Sequence, residues 1–138
     1  MTLITNNRPL LAAAAVAALA LTGCSKSYEH RRLGGNDPQA DQVRRLLQAL
    51  REQDEEHLPA VVREQAAANL TTAQEQALQT ALRELAQAES VHLVRLDAFG
   101  DQVRRATFRR TNRGRSTDEA MLLITDADGR LRWVGPNG

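Results

Sequence analysis

The sequence contains very little cysteine and very few aromatic residues. Cys24 is the only cysteine among 138 residues, and aromatic residues make up 3% of the chain. A single thiol excludes an internal disulfide framework, and it leaves no cysteine pair for a structural zinc site. With one Trp, one Tyr and two Phe, the core has to be built mainly from Leu, Val and Ala, whose burial offsets the entropy of the ordered chain.

The common sequence signatures of catalytic and metal sites are also missing. There is no Gly-x-Ser-x-Gly nucleophile motif and no glycine-rich phosphate loop. The three histidines, His30, His57 and His92, are too far apart to share a helix face or a hairpin. Residues 126–129, Asp-Ala-Asp-Gly, resemble the start of a calcium loop but lack its later ligands, so we interpret them as a hairpin turn. We therefore predict that the protein is not an enzyme and holds no metal or other cofactor.

An apolar run near the N-terminus ends at the cysteine. Arg8 precedes twelve residues of Leu, Ala and Val at positions 10–21, which is shorter than the roughly 20 residues of a membrane-spanning helix. A basic residue, a short apolar stretch and small residues before a cleavage point are typical of a secretory signal. Residues 21–24 read Leu-Thr-Gly-Cys, and this order resembles the lipobox of bacterial lipoproteins.

The lipoprotein resemblance implies that residues 1–23 are a signal peptide and that Cys24 carries the lipid. In such proteins the thiol receives diacylglycerol, and acyl chains such as palmitate enter the membrane; two or more chains are needed for stable anchoring. Ser25 stands where an Asp would favour inner-membrane retention, so the resemblance also implies the outer membrane, facing the periplasm. An ordinary secreted signal with a chance cysteine is the alternative interpretation.

Charge is balanced in the chain that would remain after cleavage. Residues 24–138 number 115, enough for one small domain, and carry seventeen basic and seventeen acidic side chains. This neutrality argues against nucleic acid as a partner. Residues 24–37 have no apolar period and include two adjacent glycines, so we predict a flexible tether over 24–37 and a folded domain over 38–138.

Three helices are predicted in the first half of the domain. Asp37 is a good N-cap before Pro38, and apolar residues at helical spacing follow to about residue 56. A second, short helix is predicted over 59–69, because a proline prevents smooth continuation of the first. Thr72 and Glu75 have capping-box spacing and begin a third helix that ends near residue 89 or 90.

The period of the apolar residues then changes from helical to alternating. Four strands are predicted, over residues 91–99, 102–110, 120–125 and 131–134, with glycine-containing turns between them. Short turns join neighbouring strands in antiparallel order. We therefore predict an α+β fold in which N-terminal helices pack on one face of a four-stranded antiparallel meander sheet. The other face is left for solvent, a ligand or a partner.

Helices followed by a meander that ends in Asp128-Gly129 and a Trp133-bearing strand resemble the nuclear transport factor 2-like superfamily. An acidic stretch at residues 53–56 before a short helix adds to the resemblance, which covers roughly residues 38–135. The resemblance implies a cone-shaped, cystatin-like α+β fold whose concave sheet can enclose a pocket. It transfers no catalytic residue, because no catalytic motif of the superfamily is matched in this sequence.

Six arginines lie between the start of the second predicted strand and the start of the third: Arg104, Arg105, Arg109, Arg110, Arg113 and Arg115. Neighbouring residues of a strand point to opposite faces, so one row is expected on the open face. Arginine binds carboxylates and phosphates through paired hydrogen bonds. We therefore predict that Arg104, Arg109 and Arg113 bind anionic lipid, lipopolysaccharide phosphate, peptidoglycan carboxylates or an acidic protein. A solvated outer face is the alternative interpretation.

Two functional hypotheses follow from these patterns. The first is a non-enzymatic, membrane-anchored periplasmic lipoprotein that binds a protein partner or an anionic envelope component. The second is a small-molecule binding protein with an apolar pocket between sheet and helices. His92 is its candidate residue, because it alternates with Val94, Leu96 and Ala98 on one strand face. A histidine satisfied at the margin of the core is the alternative for His92.

Overall fold

The computed structural model describes residues 30–137, which form three helices and a five-stranded sheet. In chain order the elements are β1 (His30–Leu33), α1 (Pro38–Arg51), α2 (Leu58–Gln65), α3 (Thr72–Gln87), β2 (Ser90–Phe99), β3 (Val103–Asn112), β4 (Arg115–Thr125) and β5 (Leu131–Pro136). Strand order follows chain order, and all neighbouring strands are antiparallel. The predicted α+β class is confirmed, but the sheet has five strands and not four. None of these helices is both long and apolar enough to cross a bilayer.

The predicted start of α1 is confirmed. Asp37 has an extended backbone, and its carboxylate accepts a hydrogen bond from the amide of Gln39 at 2.8 Å. Pro38 occupies the first turn, where its missing N–H leaves no bond unmade. The helix ends at Arg51, before the expected residue 56, because no apolar residue follows until Leu58. A longer helix would also place acidic residues at its carboxyl end, against the helix dipole.

The third helix, α3, begins with a capping box one residue before the predicted one. The Thr71 hydroxyl accepts from the amide of Gln74 at 3.1 Å, and the Gln74 side chain accepts from the amide of Thr71 at 2.8 Å. The predicted pair, Thr72 and Glu75, has the same spacing, so spacing alone does not choose between the two pairs. The apolar stripe of the helix is buried as expected, through Leu78, Leu82 and Leu85.

The additional strand, β1, lies within residues 24–37, which we expected to be a flexible tether. Leu33 pairs with Leu96 and packs on the core, while His30 pairs with Phe99 at the other end of the strand. Residues 24–29 of the expected tether lie outside the described residues. Sequence patterns do not reveal β1, because it has one apolar side chain and its pairing partners come from the distant β2.

The helices cover one face of the sheet and enclose the core with it. Phe108 and Trp133 lie there, both fully buried, with ring centroids 6.0 Å apart. Ala106 shares this face with Phe108, as their alternation predicts. Gln65 is a polar member of the core, since its Oε1 accepts from the indole N–H of Trp133 at 2.8 Å and its amide donates to the carbonyl of Leu46 at 3.1 Å. Buried polar groups of this kind require such partners.

The chain after α2 protects one edge of the sheet. Ala66 forms a parallel bridge with Trp133, and the amide of Ala67 donates to the carbonyl of Trp133 at 2.8 Å. This segment lies along β5, whose edge would otherwise offer unpaired N–H and C=O groups. The opposite edge is different, because β1 covers only part of β2.

Replacing Gln65 by Leu is expected to lower the free energy of unfolding by about 2 kcal/mol, because the buried groups of Trp133 and Leu46 lose their partner. Gln48→Leu, on the exposed face of α1, is the matched control and should change the free energy by less than about 0.5 kcal/mol. Urea unfolding followed by tryptophan fluorescence measures both values. Equal unfolding midpoints for the two variants would contradict the role of Gln65 in the core.

Candidate functional site

A β-bulge in β2 determines which side chains reach the open face, the face of the sheet that the helices do not cover. Leu93 pairs with Phe108, whereas Arg95 pairs with Thr107, which leaves Val94 as an extra residue. The alternation of side chains therefore shifts by one residue at Val94. Before the bulge the odd-numbered residues of β2 face the helices, and after it the even-numbered residues do.

This shift corrects the predicted surroundings of His92. We expected His92 to share a face with Leu96 and Ala98, but those two residues are buried against the helices. His92 is exposed on the open face, opposite Arg109 of β3. Alternation predicts a shared face only while the ladder is regular, and the bulge interrupts the ladder between these residues.

Asp97 occupies a strand position of the open face, yet 0% of its surface is exposed to solvent. Three nitrogen-bearing side chains enclose its carboxylate. Arg95 donates to both oxygens at 2.9 Å, His30 Nε2 lies 2.8 Å from Oδ1, and Arg105 lies 3.5 Å from Oδ2. These side chains come from β2, β1 and β3, so the carboxylate links three strands on their outer side.

Phe99 forms an aromatic surface beside Asp97. The His30 ring stacks on it with centroids 4.9 Å apart, and the Arg105 guanidinium carbon lies 5.0 Å from its centroid. A cation over an aromatic ring at an exposed site contributes about 0.5–1 kcal/mol. Phe99 therefore helps to hold both side chains next to the carboxylate.

The carboxylate of Asp97 is ionised at neutral pH. Burial alone raises the pKa of Asp97, but hydrogen bonds from Arg95 and His30 and the charges of Arg95 and Arg105 together hold it below the ordinary value of 3.8. The hydrogen bond to Asp97 in turn raises the pKa of Arg95. Two arginines face one carboxylate, so this part of the open face carries net positive charge.

At the strand positions of the open face, positive charges outnumber negative charges. The pairing register places five arginines and two aspartates there: Arg32, Arg95, Arg105, Arg109, Arg132, Asp97 and Asp118. Arg109 pairs with Asp118 at 2.8 and 3.1 Å. Arg32 lies opposite Asp97 in register and forms no ion pair with another described residue. We call Arg32, Arg95 and Arg105 the arginine group.

Arg104 does not belong to this face. It is 6% exposed and points toward the helices, where Nε donates to Gln39 Oε1 at 2.6 Å and a terminal nitrogen donates to the carbonyls of Gly100 and Val103. Burial, followed by the nearby charge of Arg31, lowers the pKa of Arg104. The structure therefore gives Arg104 a role in holding α1 on the sheet, in place of the predicted contact with an anionic partner.

Arg109 and Arg113 lie toward the other end of the β3–β4 hairpin. Arg113 occupies the turn with a φ of 52°, and its amide donates to the Glu89 carboxylate at 2.9 Å. At about 3.4 Å per residue, Arg113 is roughly 27 Å along the strand from Arg105. The three predicted arginines are therefore not brought together, since residues 104 and 109 also face opposite sides of the sheet.

Sequence patterns do not single out His30, Arg95 or Asp97 as site residues. Arg95, Asp97 and Phe99 do occur at strand spacing, which indicates that their side chains share a face. Nothing local indicates that His30 reaches them from β1, 67 residues from Asp97. Cys24, the predicted lipidation site, lies outside the described residues.

A cleft of 310 Å³ opens beside the arginine group, where β1 ends and the chain turns toward α1. Arg32, Arg95 and Arg44 line it together with apolar residues of β1 and β2. Two other cavities, of 680 and 250 Å³, lie along the segment after α2. None of these three cavities is lined by His92, and the space between sheet and helices is filled by core side chains.

One exposed group of side chains that can bind metals lies between α1 and α2. Asp54, Glu56 and His57 have ligand atoms within 4.8 Å of one another. His57 precedes α2, where we expected the end of the first helix, and its Nδ1 lies 2.6 Å from Asp54 Oδ1. Exposed acidic groups of this kind are common, and these three identify no metal centre.

Comparisons with known proteins identify no protein similar to this chain. A scan against protein-family models, a search of curated proteins and a search of solved structures each found no match. The functional conclusion therefore depends on the charges, contacts and topology of the described residues.

Asp97→Asn is expected to lower the free energy of unfolding by about 2 kcal/mol at neutral pH, because the neutral amide loses the charged hydrogen bonds that the buried carboxylate accepts from Arg95. The folded-state pKa of Asp97 is below 3.8, so the unfolded chain binds more protons in acid. The stabilisation is thus complete above the ordinary pKa and is lost as the pH falls through the folded pKa.

Urea unfolding of both proteins from about pH 7 to about pH 2 measures this dependence. The gap in unfolding free energy between wild type and Asp97→Asn should narrow below pH 3.8. Asp128→Asn, an exposed carboxylate in the β4–β5 turn, is the control. A gap that stays constant over the whole range would show that the charge of Asp97 does not stabilise the fold.

Proposed function

We propose that this protein is a lipid-anchored protein of the cell envelope that catalyses no reaction and binds an anionic partner through the open face of its sheet. The observation that carries the proposal is the arginine group, Arg32, Arg95 and Arg105, around a fully buried Asp97. Arginine recognises carboxylates and phosphates through paired hydrogen bonds. An acidic protein, anionic lipid, lipopolysaccharide phosphate or peptidoglycan carboxylates supply such groups in the envelope.

Asp97 orders Arg95 and Arg105, and one carboxylate cannot neutralise both. Each guanidinium has five N–H groups, and Asp97 takes two of those of Arg95. The side chains of Arg95 and Arg105 are 37% and 33% exposed, so they still reach solvent. A side chain that is already held in place loses less entropy on binding. Enclosed by cations, the Asp97 carboxylate is also a poor proton acceptor, which supports a binding function over catalysis.

Anchoring through Cys24 would hold the arginine group close to the membrane. Residues 25–29 separate Cys24 from β1, so the greatest reach of this segment is about 20 Å. The proposed reach is shorter than that of a tether over residues 24–37, because β1 is part of the sheet. In this proposal the protein lies at the outer membrane, faces the periplasm, and has no nucleic-acid partner.

The alternative of an apolar small-molecule pocket has less support. The nuclear transport factor 2-like resemblance implies a concave sheet around a pocket, and the open sheet shares with it the general arrangement of helices on one face of a meander. Phe108, Trp133 and the helix leucines fill the space between these layers. We therefore favour binding on the open face over binding in the core.

Lipidation is tested by expression in a bacterium with an outer membrane. The wild-type chain is expected to incorporate labelled palmitate and to lose residues 1–23, because the peptidase and the lipid transferase both require the cysteine. Cys24→Ala should do neither, whereas the control Ser25→Ala should keep the lipid. Wild-type protein without lipid by mass spectrometry would contradict the anchor.

Binding on the open face is tested with the full lipidated chain in neutral detergent and two soluble probes, polyglutamate and inorganic polyphosphate. The double variant Arg32→Gln/Arg105→Gln is expected to bind at least one probe about thirtyfold more weakly, since each arginine contributes about 1 kcal/mol near an anionic surface. Added salt should weaken wild-type binding.

The matched control is Arg45→Gln/Arg83→Gln, which removes the same charge from exposed positions of α1 and α3. It should bind both probes as the wild type does. Equal affinities of the two double variants would show that net charge, and not the open face, accounts for binding.

A further inference from the structure

The edge of β2 is only partly covered. β2 spans ten residues, Ser90–Phe99, but β1 pairs only with its last four. After Leu33 the chain turns away through Gly34-Gly35 and enters α1. Among the described residues, no strand lies beside Ser90–Arg95 on this side of the sheet. The edge of β5, in contrast, is lined by the segment after α2.

The uncovered edge adjoins the 310 Å³ cleft at the end of β1. Leu33, Leu93 and Leu96 supply apolar surface there, and Val94 at the bulge is 37% exposed. Three arginines also line the cleft: Arg32, Arg44 and Arg95. Strand edge, apolar surface and positive charge thus meet at one place on the molecule.

We propose that this edge accepts an extended, acidic segment of a partner protein as an added strand beside Ser90–Leu93, with carboxylates of the segment reaching Arg32, Arg44 and Arg95. In such strand addition the main-chain hydrogen bonds provide affinity and side-chain contacts provide specificity. The proposal rests on the proposed function, because it names the partner class and the position of the anionic contact. The added segment would follow the line of β1, which turns away at this point.

Charge complementarity selects an acidic partner over a second copy of this chain. A second copy joined edge to edge would present Ser90–Leu93, a segment without carboxylates, and so would not supply the anionic groups that the cleft arginines bind. The bulge at Val94 limits regular pairing to Ser90–Leu93, a length of about 13 Å. Beyond the bulge, the segment contacts the cleft through its side chains.

Arg44 distinguishes the cleft from the open face. It belongs to α1, where it pairs with Asp41 at 2.8 Å and donates to the carbonyl of Gly35 at 3.0 Å. Arg45, its neighbour in sequence, is exposed and does not line the cleft. The two arginines therefore form a matched pair for mutation.

The test uses the full lipidated chain in neutral detergent and a short peptide of alternating glutamate and valine. Two further peptides have the same sequence with methylated backbone nitrogens on alternate residues. One of them blocks the N–H groups along one edge of the peptide, and the other blocks those along the opposite edge. Both keep the charge of the peptide, but the blocked edge cannot pair with a strand. Urea unfolding checks that each variant is folded under the assay conditions, and fluorescence anisotropy reports the affinities.

The unmodified peptide should bind, and methylation of one set of nitrogens should weaken binding about tenfold or more, because main-chain hydrogen bonds are lost. Arg44→Gln should weaken binding about tenfold, since a hydrogen bond to a charged group is removed. Arg44→Lys should recover part of the affinity, and Arg45→Gln should bind as the wild type does.

Other outcomes overturn the strand addition in different ways. If both methylated peptides bind as tightly as the unmodified one, the edge of β2 is not used, while the proposed function still stands if Arg32→Gln/Arg105→Gln lowers the affinity. If only polyphosphate binds, the ligand is a phosphate surface and not a polypeptide. If the double variant changes binding to no probe, the proposed function fails together with this inference.

Discussion

The enclosure of the Asp97 carboxylate by His30, Arg95 and Arg105 is the interaction on which the open face depends. It joins three strands without help from the helices, and it holds the short strand β1 through a side chain as well as through its backbone pairing. Because a buried carboxylate without partners is strongly unfavourable, the surrounding side chains stabilise the fold. Their ordering also leaves exposed donors at fixed positions, so one contact serves both stability and binding.

The bulge at Val94 makes this arrangement sterically achievable. It shifts the alternation of β2, so that Leu96 enters the core while Asp97 reaches the open face. The same bulge ends regular pairing on the exposed edge and contributes to the cleft with Arg44. A single extra residue therefore connects the packing of the core, the charge of the open face and the limits of the uncovered edge.

Local patterns predict the parts of this fold that depend on local physics. The cap at Asp37, the buried stripe of α3 and the shared face of Ala106 and Phe108 follow from capping and periodicity. β1, the bulge and the buried position of Arg104 depend on contacts between distant residues, which single-sequence patterns do not contain. For the same reason closeness in sequence points to Arg104, Arg109 and Arg113, whereas the arginine group forms across three strands.

The most direct test of binding through the arginine group is nuclear magnetic resonance of the full lipidated chain during titration with polyglutamate. The account predicts that the guanidinium signals of Arg95 and Arg105 and the amides of β1 and the uncovered part of β2 shift together, whereas the β3–β4 turn around Arg113 and the exposed faces of α2 and α3 do not. Shifts centred on that turn or on the helices, with β1 and β2 unchanged, would contradict it.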